Sequence, residues 1–361
     1  MHSHEDIDAQ AAQSATAAPI DAWIDGFEGG PEFFQELLWL ASDIKSNLPR
    51  YVAARPLAGK VLASIFVNPS LRTRTSFESA MARLGGHMIT LMPGNGVWGM
   101  EFEPGVIMNG DKAEHIKEAA GVLSSYADVI GMRAFSPMED FAVDMADAPI
   151  KALAQHAKVP VISLESACYH PCQALADALT LHEVFDGAPQ GKNFTLTWTT
   201  HPKMCGVAVP HSALLSAARL GMNVRLAHPK GYELHPDVMA QANHLADTTG
   251  GSLTLTNDMD EACKDTHVVY AKAWGSHLDY GNTAAGAERN AQFGHWTVDT
   301  PQMEAGVDPY FMHCLPVRRG VVVTDAVIDS PRSVIQQQAA NRMWAQMALL
   351  VSLLGNPQSH G

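Results

Sequence analysis

The sequence predicts an α/β protein of two doubly wound parallel-sheet domains with a ligand cleft between them. Three observations predict it. Short apolar runs of strand length alternate with helical apolar spacing along most of the 361 residues, the pattern of strands joined by crossover helices. The alternation runs through twice, in two halves that share a layout without a repeated sequence. Arg72, Arg133 and Glu165 stand where predicted strands end, which is where open parallel sheets bind ligands.

Residues 1–18, rich in Ala, Ser, Gln and His, have neither the basic start nor the apolar centre of a secretory signal and read as a flexible tail. His2 and His4 are read there as solvated side chains, not metal ligands. Residues 32–48 set Phe33, Phe34, Leu37, Leu38, Leu40, Ala41 and Ile44 at helical spacing. Residues 64–87 organise the rest. Ile65-Phe66-Val67 makes a buried strand, and Asn68-Pro69-Ser70 breaks it. A helix then carries Phe77, Ala80, Met81 and Leu84 on one face before Gly85-Gly86 stops it. A strand that ends in polar residues and feeds a helix aims backbone N–H groups at one point. The helix dipole adds positive potential there, and Arg72 supplies a planar fork for phosphate oxygens. A helix capped by its own Ser and Thr, with solvated arginines, fits the same spacing.

Residues 88–91 form the next strand. The glycine-rich loop 93–99 carries Trp98, an aromatic suited to a core, a binding site or a subunit interface. Residues 111–126 read as one helix, 128–133 as a strand, 151–156 as a helix and 159–164 as a strand. Residues 165–173 lead into a helix at 174–185 that links the halves. The second half alternates strands at 194–199, 223–227, 252–256 and 268–272 with helices at 212–220 and 235–248 and a helical turn at 259–263. No Gly-x-Gly-x-x-Gly follows its first strand, which speaks against a dinucleotide site. The stretch 311–320 ends a further strand, and residues 339–354 form a long amphipathic helix.

Apolar residues at 47% and charged residues at 17% suit a chain with two substantial cores. A net charge of −14 excludes nucleic acid and an anionic membrane as main partners, while local arginines still admit a phosphate-bearing substrate. No apolar run reaches bilayer length. Five cysteines and no export signal point to reduced thiols and a cytoplasmic protein. Cys168, His170 and Cys172 lie close together, but Pro171 interrupts them and no second Cys/His pair completes a zinc site.

Ser70-Leu71-Arg72-Thr73-Arg74 resembles the Ser-x-Arg-Thr-Arg motif with which carbamoyltransferases bind carbamoyl phosphate. His170-Pro171-Cys172-Gln173 resembles the His-Pro-x-Gln motif of the same family, and His313-Cys314-Leu315-Pro316 its His-Cys-Leu-Pro motif. Arg133 falls where the family has an arginine at a strand end, and Arg342 matches an arginine on its C-terminal helix. The strings occur in family order. The resemblance implies the carbamoyltransferase fold with the active site in the cleft between the two domains. It divides the chain into a carbamoyl-phosphate-binding domain at residues 19–170 plus 338–361 and an N-acylornithine-binding domain at residues 171–337. It also implies a homotrimer in which Trp98 reaches across the subunit interface.

Within the family, the Ser-Met-Gly segment that receives the free α-amine of ornithine is missing, and Tyr270-Ala271-Lys272-Ala273-Trp274-Gly275 stands in that region. This resembles the branch acting on N-acetyl- or N-succinylornithine, whose blocked amine needs no carboxylate partner. The N-acetyl type carries a glutamate where this chain has Ala113, and a carboxylated lysine where it has Val322. Loss of that charge and bulk favours a longer, anionic acyl group.

The reaction so implied is attack of the acylornithine δ-amine on the carbonyl carbon of carbamoyl phosphate. By the resemblance, Ser70, Leu71, Arg72 and Thr73 hold the phosphate, helped by Arg133, Arg342 and Trp98. His170, Arg133 and Thr73 stabilise the carbonyl oxygen as it becomes negative. Gln173 and the backbone at Cys314 and Leu315 grip the carbamoyl NH₂, and Ala113, Glu165, Lys272 and Leu315 face the acylornithine. The departing phosphate, Cys314 and His170 all remain candidates for the base. The scheme needs no metal or organic cofactor. The alternatives are another amine acceptor, or a non-catalytic paralogue that binds carbamoyl phosphate as a regulatory subunit.

Overall fold

Strands buried on both faces need continuous apolar runs, and Val61–Phe66 is such a run, with Leu62 and Ile65 shielded completely from solvent. The computed structural model describes residues 20–355, so the predicted tail at residues 1–18, with His2 and His4, lies outside the described residues. The strands are β1 (Ala22–Trp23), β2 (Val61–Phe66), β3 (His87–Leu91), β4 (Gly99–Glu101), β5 (Lys112–His115), β6 (Val129–Arg133) and β7 (Val161–Glu165). They continue with β8 (Asn193–Trp198), β9 (Asn223–Ala227), β10 (Ser252–Thr256), β11 (Val268–Lys272) and β12 (Tyr310–Met312).

Among the described residues the chain divides into two compact units. One comprises 20–133, 149–164 and 343–355, and the other 134–148 and 165–342. The first holds a five-stranded sheet in the order β1-β7-β6-β2-β3, the second a five-stranded sheet in the order β10-β9-β8-β11-β12. Every pairing in both is parallel. These are the two predicted doubly wound sheets.

The strand orders locate the ligand-binding ends. From β2 the chain first builds outward to β3, then returns to lay β6 and β7 on the other side. The winding reverses between β2 and β6, and in the second sheet between β8 and β11. At such a switch point the connecting segments leave in opposite directions and open a gap beyond the strand ends.

The helix after β2, Leu71–Leu84, starts and stops as the sequence predicts. The Ser70 hydroxyl accepts a hydrogen bond from the Thr73 N–H at 3.2 Å, and Gly85 ends the helix with a φ of 89°. Phe77, Ala80, Met81 and Leu84 are its buried face. The long C-terminal helix is Ile335–Leu354, a turn longer at its start than predicted.

One predicted element is corrected. Residues 111–126 are not a single helix; Lys112–His115 is a strand, and the helix is Ile116–Leu123. The strand forms because β5 pairs in parallel with β4, with Met100 opposite Glu114 and Glu101 opposite His115. The Glu101 carboxylate sits 3.1 Å from Lys112 Nζ. The His115 ring caps the following helix by accepting from the Lys117 N–H at 3.1 Å. The helical spacing from Ile116 onward gives no signal of where it begins.

Gly85 is a test of the cradle helix. A Cβ there would lie 2.9 Å from Arg55 Cβ and would have to adopt a positive φ. Gly85→Ala is expected to destabilise the protein by about 1–2 kcal/mol, read as a lower denaturant midpoint at unchanged slope.

Candidate functional site

In the first unit the predicted phosphate-holding residues converge at the switch point. Phe66, the last residue of β2, is paired with Arg133, the last residue of β6. The chain leaves β2 through residues 67–70 and enters the helix at Leu71. Thr73 is fully buried, Arg133 is 8% exposed, and Arg133 Nη1 lies 3.4 Å from the Thr73 hydroxyl. Ser70 is spent on capping, and Arg72 is half-buried beside it. Leu71 is exposed and contributes its backbone N–H at the helix start, where the first N–H groups of a helix have no partner within it. Arg74, of the same motif, is taken by Glu78 at 3.0 Å on the exposed face. The structure therefore separates one arginine of this string, Arg74, from the anion-holding set.

Trp98 and Ala113 belong to the small β4–β5 ribbon. Trp98 directly precedes β4, is 72% exposed, and has no ring or hydrogen-bond partner among the described residues. Gly99 is opposite Lys112 and Met100 opposite Glu114, so Ala113 is the extra residue of a bulge. Bulges re-aim side chains, and this one sits one residue from the tryptophan end of the ribbon.

The second unit gathers the other predicted residues. Glu165 ends β7, and its carboxylate lies 3.2 Å from Nε2 of His170, which is 3% exposed. The His170 backbone N–H donates to the Ser212 hydroxyl at 2.8 Å. His170 precedes the helix Pro171–Val184 without capping it through its ring, so the ring is turned to Glu165. Gln173, on the first turn of that helix, accepts from Arg342 Nη1 at 3.3 Å. The Leu315 N–H donates to His313 Nδ1 at 2.9 Å, and Leu315 has a φ of 54°. A left-handed leucine is strained and persists only where its surroundings hold it.

Lys272 ends β11, at the switch point of the second sheet, opposite Trp198 of β8. Its Nζ donates to the Ala273 carbonyl at 2.8 Å. The Arg318 Nε–H donates to His201 Nε2 at 3.0 Å, and His201 Nδ1 lies 3.4 Å from Cys205 Sγ. Burial alone would raise the Cys205 thiol, but the His201 hydrogen bond and the nearby charges of Lys272 and Arg318 hold it below its ordinary value. Lys272, His201 and Arg318 thus form a basic cluster. Arg319, by contrast, is consumed by Asp325 and Asp329 at 2.8 and 2.6 Å. Val322 is packed in the interior, 2% exposed, with its backbone tied to Arg318 and Val298.

Sequence reasoning missed the residues that join these pieces. Asp177 is 2% exposed, and its Oδ1 accepts from Gln173 Nε2 and from Gln338 Nε2, each at 2.7 Å. Its Oδ2 accepts from the Tyr270 hydroxyl at 3.0 Å. Gln338 Oε1 in turn accepts from the His313 N–H at 2.9 Å. One buried network therefore connects Arg342 and Gln173 to the backbone just before Cys314 and Leu315. Burial pushes Asp177 up to about 6, against the pull of its three hydrogen-bond donors and Arg342. Its partners lie 93 and 161 residues away in sequence, and the only local signal was the i, i+4 spacing of Gln173 and Asp177 on one helix.

Known proteins resemble this chain over most of its length. Residues 29–183 match the family described as aspartate/ornithine carbamoyltransferase, carbamoyl-P binding domain, and residues 195–353 match its Asp/Orn binding domain. The chain is 44% identical over 302 residues to N-acetylornithine carbamoyltransferase of Xanthomonas campestris pv. campestris, covering 83% of this chain and 88% of the relative. It is 37% identical over 316 residues to N-succinylornithine carbamoyltransferase of Bacteroides fragilis, covering 87% and 93%. A crystal structure of a glutamate-to-alanine mutant of N-acetyl-L-ornithine transcarbamylase, complexed with carbamyl phosphate and N-succinyl-L-norvaline, superposes with a TM-score of 0.89. It is 41% identical and covers 92% of this chain and all of that one.

The anion-holding set can be tested without any substrate. Arg133→Met is expected to weaken inorganic phosphate binding by about 2 kcal/mol, roughly 30-fold, in calorimetric titration. Unchanged affinity would remove Arg133 from the set.

Proposed function

The chain belongs to the aspartate/ornithine carbamoyltransferase family, and from that premise we propose that it carbamoylates the δ-amine of an N-acylated ornithine, giving N-acylcitrulline and phosphate in arginine biosynthesis. The observation that carries the reading is the convergence of Arg72, Thr73 and Arg133 on the N-terminus of the helix Leu71–Leu84 at a topological switch point. That arrangement holds a phosphate group by fixed N–H donors and guanidinium forks.

In this reading Ser70, Leu71, Arg72 and Thr73 bind the phosphate of carbamoyl phosphate, with Arg133, Arg342 and Trp98 adding to the grip. The neutral δ-amine attacks the carbonyl carbon, and the carbonyl oxygen takes up negative charge. Arg133, Thr73 and His170 stabilise that oxygen, with His170 held in orientation by Glu165. Fixed donors of this kind are each worth ~3 kcal/mol in the transition state. The tetrahedral intermediate collapses as the bond from carbon to the bridging oxygen breaks. The amine proton leaves on the phosphate, which departs beside it, so neither Cys314 nor His170 has to act as base. Gln173 and the backbone at Cys314 and Leu315 hold the carbamoyl NH₂. Glu165, Lys272 and Leu315 orient the acylornithine, and the basic cluster of Lys272, His201 and Arg318 receives its α-carboxylate.

The acyl group is the finer question. N-acetyl and N-succinyl enzymes are both among the relatives. Ala113, exposed at the ribbon bulge, favours the succinyl group, because an uncharged small residue leaves room for a second carboxylate. The glutamate-to-alanine mutant of the N-acetyl enzyme, complexed with N-succinyl-L-norvaline, is consistent with this. We propose further that the protein works in the cytoplasm as a homotrimer with Trp98 supplied by a neighbouring subunit. Among the described residues no helix is long and apolar enough to cross a membrane.

The reading is tested by offering the purified protein carbamoyl phosphate with N-succinylornithine, N-acetylornithine or ornithine. Preference for the succinyl compound is expected; turnover of ornithine alone would refute the branch. Ala113→Glu should shift the succinyl-to-acetyl ratio by roughly tenfold, through charge repulsion across a few ångströms.

Trp98→Ala should keep the melting temperature and lose at least about tenfold in kcat/KM, as misplaced donors do. Mixing Trp98→Ala subunits with Arg72→Met subunits should restore part of the activity, because some sites in mixed trimers then hold both native residues. Absence of restoration would place Trp98 in its own subunit's site.

A further inference from the structure

We propose that Asp177 is a positioning residue that fixes which way round the Gln173 carboxamide faces, and so selects a donor bearing an NH₂ next to its reactive carbonyl. The inference rests on the carbamoyl-transfer reading above and deepens it.

A carboxamide is nearly symmetric in shape. Turning it by half a revolution exchanges an acceptor for two donors with almost no change in packing. What decides its direction is the chemistry at its far end. An ionised carboxylate accepts only, and Asp177 accepts from Gln173, Gln338 and Tyr270 at 2.7, 2.7 and 3.0 Å. Gln173 must therefore give its N–H to Asp177 and turn its oxygen away. That oxygen accepts from Arg342 Nη1 at 3.3 Å, a long contact that leaves a lone pair for a further N–H. A carbamoyl NH₂ can donate to it. The methyl group of acetyl phosphate, otherwise the same size, cannot.

The same carboxylate orients Gln338. Its N–H faces Asp177, so its oxygen receives the His313 N–H at 2.9 Å. This holds the strand end from which Cys314 and Leu315 follow. The two groups assigned to the carbamoyl NH₂, the Gln173 oxygen and the backbone at Cys314 and Leu315, are thus set by one acceptor on the helix Pro171–Val184.

Packing does not require a charge here. Asp177 is shielded almost wholly from water, and burial opposes its ionisation at neutral pH. An asparagine of the same shape would sit in this interior at less cost. It would also offer one oxygen to three donors, and it could present its own NH₂ to Gln173. The carboxylate is the side chain that forces both amides the same way.

The test compares Asp177→Asn and Asp177→Leu with the wild type, each first shown to be folded by circular dichroism and a thermal melt. For each protein the KM for carbamoyl phosphate and the inhibition constants of inorganic phosphate and acetyl phosphate are measured with the preferred acceptor. The expected result is graded. The KM for carbamoyl phosphate rises about threefold in the Asn variant and about tenfold in the Leu variant, the scale of one hydrogen bond lost, while both inhibition constants stay at the wild-type value. The Asn variant is expected to melt at or above the wild-type temperature at pH 8. A folded variant with unchanged KM overturns the proposal, as does a parallel loss of affinity for all three compounds. Wild-type protein that turns over no acceptor refutes the carbamoyl-transfer reading itself, a different failure.

Discussion

A charge taken out of water must be met by opposite charge or by well-placed hydrogen bonds, and this chain buries such charges in both units, Arg133 in the first and Asp177 in the second among them. Arg133 is 8% exposed at the end of β6, and Asp177 is 2% exposed on the helix Pro171–Val184 of the second unit. Both are expensive to place, and an apolar residue would pack at either position. Each is instead surrounded by groups that it orders. Arg133 stands against Thr73 on the cradle helix, and Asp177 gathers donors from three separate elements. Rigid neighbours are what make such burial tolerable, and the central strands of a parallel sheet supply them. The switch points supply the rest, since connections that diverge leave room for polar side chains above apolar strands.

What the sequence discloses depends on how far apart the interacting residues lie. The cradle is legible because strand, break, cap and arginine occupy one continuous stretch, although the strand is Val61–Phe66 where the sequence predicts residues 65–67, and Val67 lies exposed beyond its end. Three second-unit strands, Asn223–Ala227, Ser252–Thr256 and Val268–Lys272, have the bounds predicted for them. The strand Lys112–His115 is not legible, because its pairing with Gly99–Glu101 is a tertiary event and its own composition, Lys-Ala-Glu-His, favours a helix. The Asp177 network is hidden for a related reason. The sequence marks Gln173 as a ligand contact and Tyr270 as part of a strand and gives Gln338 no role, and only the fold brings the three to one carboxylate. Strings such as His-Pro-x-Gln and His-Cys-Leu-Pro name the residues proposed to touch a ligand. They do not name the carboxylate that sets their orientation.

The basic residues divide by what they are spent on. Arg74, Lys60 and Arg319 pair with nearby carboxylates on partly or wholly exposed faces, where such pairs add little stability. Lys272 and Arg318 form no ion pair among the described residues. They are instead held by neutral acceptors, the Ala273 carbonyl and the His201 ring. A neutral acceptor fixes the direction of a cation without cancelling its charge. The Arg318-Arg319 dipeptide shows the distinction in adjacent residues, one neutralised by two aspartates and the other aimed and still charged. Against burial, the His201 hydrogen bond and then the charges of Lys272 and Arg318 hold the Cys205 thiol below its ordinary value.

In the proposed reading, selection of the acyl group falls to a different part of the chain, and the topology gives a reason. Trp98 and Ala113 sit on a two-stranded ribbon that is separate from the five-stranded sheet of its unit. A substitution within a central strand such as β2 or β6 would disturb strands packed on both faces, and overpacking there typically costs 1–3 kcal/mol. A substitution at an exposed bulge residue disturbs almost nothing that holds the unit together. The ribbon can therefore change the size and charge of one side chain while Arg72, Thr73 and Arg133 stay in place. In the proposed reading, chemistry common to every acceptor is anchored on the buried strands, and discrimination between acceptors falls to a ribbon whose alteration the core does not feel.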